Sequence, residues 1–484
     1  GVYWDDAWHT DRGRDDLLSA PHLALYVGVT VAVGVVAWWG WTRRRVGWRR
    51  VAAGPTGVAI VGAAVTLGSA PVDEWWHTTF GRDAVLWSPP HLVALVGTVA
   101  LGSGVALVTG QSRPAQGSRV GIVLVVATGA GVLGAWQVLV LEYDTDVAQF
   151  TTLWYLPVLA VGLTAASATV HGATSHRVRW AAGWAGVAYT LAMITVIAIL
   201  SATGFSTPIV PAVLPALFVA DLARRRAWSI PVRAAAIVVA LFVVEVPYLR
   251  WVDGGVAPST PEALWGAAIA AVGVAVTLAI FDPTNQRIPP LTPTTVLVLI
   301  VATAGPLMLV GGRAADAHDP GQGTGIAAVT LTADVSDTRV ELTAATDDSD
   351  QDLEPVRTVA RRAGRLTVGP LSEVGNVWSG TVDLDEHGRW FVYVELRRGA
   401  ERLEAWLPVV AGSNETVTKQ TELYVRRPDN GATTNQIIAG LVLVLVALGV
   451  IGRVAATVRA ANSRPDYPRR SAGRGDARCS ARSS

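Results

Sequence analysis

Two short stretches of this chain carry acids, histidines and arginines in the same order. Residues 5–22 read DDAWHTDRGRDDLLSAPH and residues 73–91 read DEWWHTTFGRDAVLWSPPH. Each holds an Asp, a His four positions later, a Gly-Arg-Asp, and a second His that follows a proline at the mouth of a long apolar run. The chain has 8 His, and His9, His22, His77 and His91 are half of them. Positions i and i+4 of a helix share a face, so Asp5 points with His9 and Asp73 with His77. Asp6 and Glu74 stand three positions before the same histidines and are alternative ligands. Pro21 and Pro90 suit the first turn of a helix, where a missing amide donor costs nothing. His22 and His91 are therefore expected in the first turn of the spans that follow.

One carboxylate and two imidazoles converging on a point suit Cu(II), zinc or iron. Asp15 or Asp83 could orient a ligand imidazole from behind. Glu142 could add a further ligand if the fourth span packs against the first and third. Protons compete with metal for imidazole, so affinity at such a site should fall below about pH 6. Two other readings stay open. One is an interfacial hydrogen-bond network with Trp8, Trp75, Trp76 and Trp87 as an aromatic belt, and Asp83 pairing with Arg82 or capping a helix. The other is a proton relay or organic-ligand site.

The elements that must position these residues are membrane spans. The chain of 484 residues is 51% hydrophobic and 16% charged, with a mean hydropathy of +0.38, as in polytopic membrane proteins. A net charge of +1 gives no field to recruit nucleic acid. The single cysteine, Cys479, excludes internal disulfides and thiolate metal sites. With about 20 apolar residues needed per span, eleven candidates are read at 22–42, 52–70, 91–110, 120–141, 154–173, 180–202, 208–223, 229–248, 262–281, 291–312 and 434–455. Pro208, Pro211, Pro215 and Pro231 blur the ends of the sixth to eighth. The chain starts with Gly rather than Met, and the second motif copy follows a span while the first has none before it. An upstream helix is expected by analogy.

Arginine sets the expected orientation. Arg43, Arg44, Arg45, Arg49 and Arg50 follow the first span, and Arg113, Arg119, Arg177, Arg179, Arg224, Arg225 and Arg226 fall in alternate loops. By the positive-inside rule these loops are cytoplasmic. Both motif copies and residues 313–433 then face outward, with the N-terminus outside a plasma membrane and the C-terminus inside. The domains expected are a helical module over 1–312, an extracytoplasmic β-sandwich over 313–433, a final helix at 434–455 and a disordered basic tail over 456–484. The sandwich is read from period-2 alternation in AAVTLTA, TRVELTAA, RWFVYVELRR and RLEAWLPVV, separated by turn residues. His318 and His387 read as solvated loop residues, with His318 in DAHDPG the better candidate for a metal contact. Glu245 is either a functional intramembrane carboxylate or a partner of Arg250. Asp221 reads as a partner of Arg224, and His171 and His176 as solvated.

The spacing D-x3-H-x12-H of Asp5, His9 and His22 resembles the copper-ligand motif of the C subunit of particulate methane and ammonia monooxygenases. Asp73, His77 and His91 match it with one extra residue. The resemblance implies copper at the outer side of the membrane. The pattern G-x-V-x-L-x-x-x-G-x-W-x-x-x-V-x-L-R, from Gly380 to Arg397, resembles bacterial YtkA-like and FixH-like Ig-type domains, which recur beside copper-handling membrane modules. The layout of a polytopic module with such a domain is similar to copper-uptake proteins of the CopD kind.

Together these readings point to a helical membrane protein of eleven spans with an inserted Ig-like β-sandwich. Its expected role is copper acquisition or handling, with zinc or iron as alternative metals. Alternative roles are a component of a copper-dependent membrane monooxygenase or oxidase, or a non-catalytic assembly or sensor protein. Expected partners are the lipid bilayer and an extracytoplasmic protein that meets the β-domain. No nucleotide, nucleophile-elbow or HExxH motif is present. The orientation is testable through the only native thiol: a membrane-impermeant maleimide should label Cys479 only after permeabilisation. Labelling in intact cells would reverse the assigned topology.

Overall fold

The computed structural model describes residues 1–12, 18–80, 86–111, 118–144, 151–174, 178–252, 257–281, 322–346, 353–362, 365–375, 377–426 and 434–463. A short polar helix, α1 (Val2–Arg12), precedes α2 (Ala20–Arg43) and the brief α3 (Trp48–Ala53). Next come α4 (Pro55–Phe80), α5 (Pro89–Gln111), α6 (Arg119–Gln137), the single turn α7 (Leu141–Asp144) and α8 (Tyr155–Thr174). The rest of the helices are α9 (Ala181–Ala202), α10 (Leu214–Arg225), α11 (Ile230–Trp251), α12 (Thr260–Phe281) and, after the β-domain, α13 (Thr434–Asn462). Among the described residues, 9 helical stretches are long and apolar enough to cross a membrane. They coincide with nine of the eleven spans read from the sequence. The span at 291–312 lies outside the described residues.

The seventh candidate, 208–223, is corrected. Residues 205–213 run without helix, and α10 begins only at Leu214 and lasts 12 residues. Such a helix is about 18 Å long, well short of the roughly 30 Å apolar core of a bilayer. Prolines cause the break. Pro208 and Pro211 donate no amide and would clash with the preceding turn, whereas Pro215 sits harmlessly in the first turn of α10. Backbone amides freed in apolar surroundings need other acceptors. Ala212 N donates to Glu245 Oε2 of α11 at 2.6 Å, and Tyr155 Oη donates to Glu245 Oε1 at 2.6 Å. Glu245 is fully buried. The expected pair with Arg250 does not form: Arg250 donates to Pro258 O and Thr260 Oγ1.

Backbone contact aligns α4 with α5. A Cβ on Gly62 would lie 2.2 Å from Leu101 N, and one on Gly104 would lie 2.4 Å from Ala59 N. Small residues permit such approach between membrane helices, where van der Waals packing replaces the hydrophobic drive.

The β-domain comprises β1 (Gln322–Ser336), β2 (Arg339–Thr346), β3 (Glu354–Arg362), β4 (Arg365–Gly369), β5 (Leu371–Val374), β6 (Val377–Asp383), β7 (Gly388–Arg398), β8 (Glu401–Ala411) and β9 (Thr416–Arg426). The alternation does form strands, and Val340, Leu342, Trp390, Val392, Ala405, Leu407 and Val409 share one apolar interior. The hydrogen bonding links the strands of the domain in one series, with β8 and β9 joined only at Leu403–Val425 and Glu404–Tyr424. One antiparallel sheet runs in the order β4-β3-β7-β8-β9-β1-β2-β6-β5. Its two terminal strands are consecutive in sequence and joined by Pro370, so the sheet nearly closes on itself. Thr358 Oγ1 of β3 ties the seam by donating to Pro370 O at 2.8 Å and Thr381 O at 3.4 Å. On the outer side, the buried Glu395 accepts from Arg357 Nε at 2.6 Å and from Arg426 Nη1 at 3.1 Å. His387 is exposed and pairs with Asp337, as a loop histidine; His318 lies outside the described residues. Contact between β8 and α1 sets the β-domain at the end of the bundle that carries α1.

The broken span supplies a stability test. Glu245→Ala leaves two buried donors without their acceptor, at about 1–3 kcal/mol each, and should lower the melting temperature of the detergent-solubilised chain. Glu245→Gln keeps one acceptor and should lower it less. An alanine variant as stable as the parent would show that Glu245 does not hold the break.

Candidate metal centre

Asp5 and His9 lie one turn apart on α1, with His9 Nε2 3.9 Å from Asp5 Oδ1. Ser19 precedes α2, Pro21 occupies its first turn, and His22 follows as its third residue. His22 Nε2 comes within 3.2 Å of the same Asp5 Oδ1. The two imidazole rings are 6.0 Å apart between centroids and inclined at 53°. One ligand atom from each of Asp5, His9 and His22 lies within 4.8 Å of the others, and all three residues are half-buried. Ligands bound at about 2.0–2.2 Å to one ion stand no more than about 4.4 Å apart. Both carboxylate–imidazole distances already meet that limit, and a small side-chain adjustment brings in the second imidazole. Two neutral imidazoles and one carboxylate therefore fit a borderline divalent ion in donor type and in spacing.

Residues with no part in the repeated motif's ligand set hold α1 in place. Asp11 accepts from the backbone amide of Ser206 at 2.6 Å and also from its hydroxyl. Trp8 stacks on Phe205 at 5.8 Å, and Trp4 meets the same ring edge-on at 6.4 Å. Tyr3 and Tyr189 approach through their hydroxyls at 3.5 Å. An acid in the last turn of a helix opposes the helix dipole, and that misplacement was the available signal for Asp11.

The second copy repeats the first contact. His91 is the third residue of α5, and its Nε2 lies 3.1 Å from Asp73 Oδ1 of α4. His77 falls on α4 one turn beyond Asp73, but its side chain lies outside the described residues. So do the side chain of Glu142 on α7 and the whole of Asp15 and Asp83. Asp6 is half-buried on α1, and Glu74 is exposed on α4. The three-residue group does not include Asp6. Of the four tryptophans read as a belt, Trp75 is exposed and Trp76 is buried. Trp87 turns inward: its Nε1 donates to Leu139 O at 2.9 Å, and its ring meets Tyr143. Tyr143 in turn meets Tyr155 edge-on at 5.4 Å.

At the opposite end of the bundle, two expectations are corrected. His171 is buried, and its Nε2 lies 2.7 Å from Asp221 Oδ1. Asp221 also accepts from Gly183 N at 2.8 Å, in the first turn of α9, while Arg224 donates to Asn462 Oδ1. The N-terminal amides of α9 are a better partner for Asp221 than a flexible guanidinium. His176 lies outside the described residues.

The anchoring of α1 is open to direct measurement. An 11-residue helix is marginal alone, and a hydrogen bond to a charged acceptor is worth about 1.5–3 kcal/mol. Asp11→Ala should therefore raise amide hydrogen exchange in residues 2–12 by about tenfold or more, with α4 and α5 unchanged. Unaltered exchange in α1 would show that its packing suffices. No family model, curated protein or solved structure matches this chain.

Proposed function

We propose that this chain is an integral membrane metal-binding protein that acquires or handles copper at Asp/His sites on one end of its helical bundle. The observation that carries the reading is the convergence of Asp5, His9 and His22, whose ligand atoms lie within 4.8 Å of one another. Recurrence supports it: the Asp–His contact is 3.2 Å in the first copy and 3.1 Å in the second. With Cys479 as the only thiol, the ligands are imidazole and carboxylate, which also admit zinc or iron. Copper is favoured by the resemblance of the D-x3-H-x12-H spacing to the monooxygenase C subunit.

In this reading Asp5 supplies the anionic ligand, and His9 and His22 supply neutral imidazole nitrogens. Asp73 and His91 form the core of the second site, with His77 as its third ligand. Both sites face outward from a plasma membrane, in the orientation that the arginines favour. The β-domain is an Ig-type domain of the YtkA-like kind, placed to meet an extracytoplasmic protein. Its contact with α1 supports a role beside the first site.

Metal analysis by mass spectrometry tests the proposal on the purified full chain. Copper should bind to the parent, and His22→Ala and His91→Ala should each remove about half of it, given one ion per copy. A parent with no copper, zinc or iron above background overturns the reading. Bound copper without oxygen uptake in the presence of a reductant would mark a carrier rather than an oxidase.

A further inference from the structure

Two cavities at the arginine-rich end of the bundle share one lining residue. The first is an apolar groove of about 300 Å³ between α6 and α9. Ile122, Val123, Val126 and Ala127 form one wall, and Trp184 and Ala188 form the other. Ile122, Val123 and Trp184 are 46%, 64% and 52% exposed although they lie within membrane spans. The second is a polar pocket of about 100 Å³ lined by His171, Arg179, Trp180, Asp221, Arg224 and Arg225. Val178 lines both. An apolar slot open to the side of the bundle thus adjoins, across Val178, a pocket lined by three arginines.

The pocket's charge is positive. Asp221 is engaged by His171 and by the amides of Ala182 and Gly183. Arg225 stacks over Trp180 at 4.9 Å, which fixes its guanidinium at the pocket wall. Arg224 is tethered to Asn462 at 3.1 Å. Guanidinium groups held in this way match the oxygens of a phosphate.

We propose that this composite cavity is a binding site for one anionic phospholipid, with an acyl chain along the α6–α9 groove and the headgroup phosphate among Arg179, Arg224 and Arg225. Neither half suffices alone. The groove would accept any acyl chain, and the pocket would attract any anion; their adjacency across Val178 suits a molecule with both parts. Basic pockets between spans at the cytoplasmic side are suited to anionic headgroups. This site is separate from the Asp/His copies and does not depend on them.

The test is lipid retention by the full chain, read by native mass spectrometry after titration with phosphatidylglycerol or phosphatidylcholine of identical acyl chains. Phosphatidylglycerol should be retained preferentially. Arg179→Gln and Arg225→Gln should each weaken it about fivefold without changing phosphatidylcholine. Ala188→Trp, or Ala127→Leu should the first not fold, should weaken both lipids by filling the groove. Millimolar inorganic phosphate and glycerol phosphate should not displace the lipid. Equal retention of the two lipids, indifference to the arginine variants, or full displacement by inorganic phosphate would overturn the proposal, the last by marking a simple anion site.

Discussion

Backbone amides exposed inside an apolar bundle must be answered, and two carboxylates answer two of those in the segment before α10. Glu245 takes the amide of Ala212 from α11, and Asp11 takes that of Ser206 from α1. The same segment therefore draws a short polar helix onto the spans. Without that attachment α1, which is too short to persist alone, would lose the hydrogen bonds of Asp11 and the ring contacts of Trp4 and Trp8, and would keep only the packing of its first residues and its contacts with α2 and β8. Asp5 and His9 would then have a looser relation to His22. The position of the first candidate site thus follows from how a proline-broken span satisfies its hydrogen bonds.

The second copy rests on a different constraint. Its Asp and His sit on two long helices, so their meeting depends on the line along which α4 and α5 touch. Gly62 and Gly104 let the two backbones approach where side chains would hold them apart. An inward chain of rings then runs from Trp87, one turn before His91, through Tyr143 and Tyr155, to the carboxylate of Glu245. One buried polar centre is thereby connected to both copies, by hydrogen bonds on one side and by packed aromatics on the other.

Local pattern was the legible part. Hydropathy located the long spans, period-2 alternation located strands, and helix geometry aligned Asp5 with His9. Proline before histidine placed His22 and His91 in first turns, where they lie. What depended on distant partners was not legible. Glu245 has a neighbour in Arg250 by sequence, yet bonds to Tyr155, 90 positions away. Asp221 stands near Arg224, yet engages His171, 50 positions away. A run of prolines signalled disruption of the seventh span but not the residues that would repair it. Strand alternation likewise carries no record of strand order, so a near-closed sheet and a pair of facing sheets read alike.

The closure at Pro370 has a consequence for how other molecules can meet the β-domain. Along the β4–β5 seam the first and last strands are one continuous stretch of chain, so this end of the sheet offers no long open margin of unpaired amides and carbonyls; β8 and β9, by contrast, pair only at Leu403–Val425 and Glu404–Tyr424. Strand-by-strand association with another copy, the usual hazard of β-structure, is blocked along the seam. Recognition by adding an extended peptide to a sheet margin is blocked for the same reason. A molecule that meets the domain on the β4–β5 side must therefore do so through side chains on the curved outer wall or through loops, so recognition there resides in surface chemistry rather than in backbone pairing.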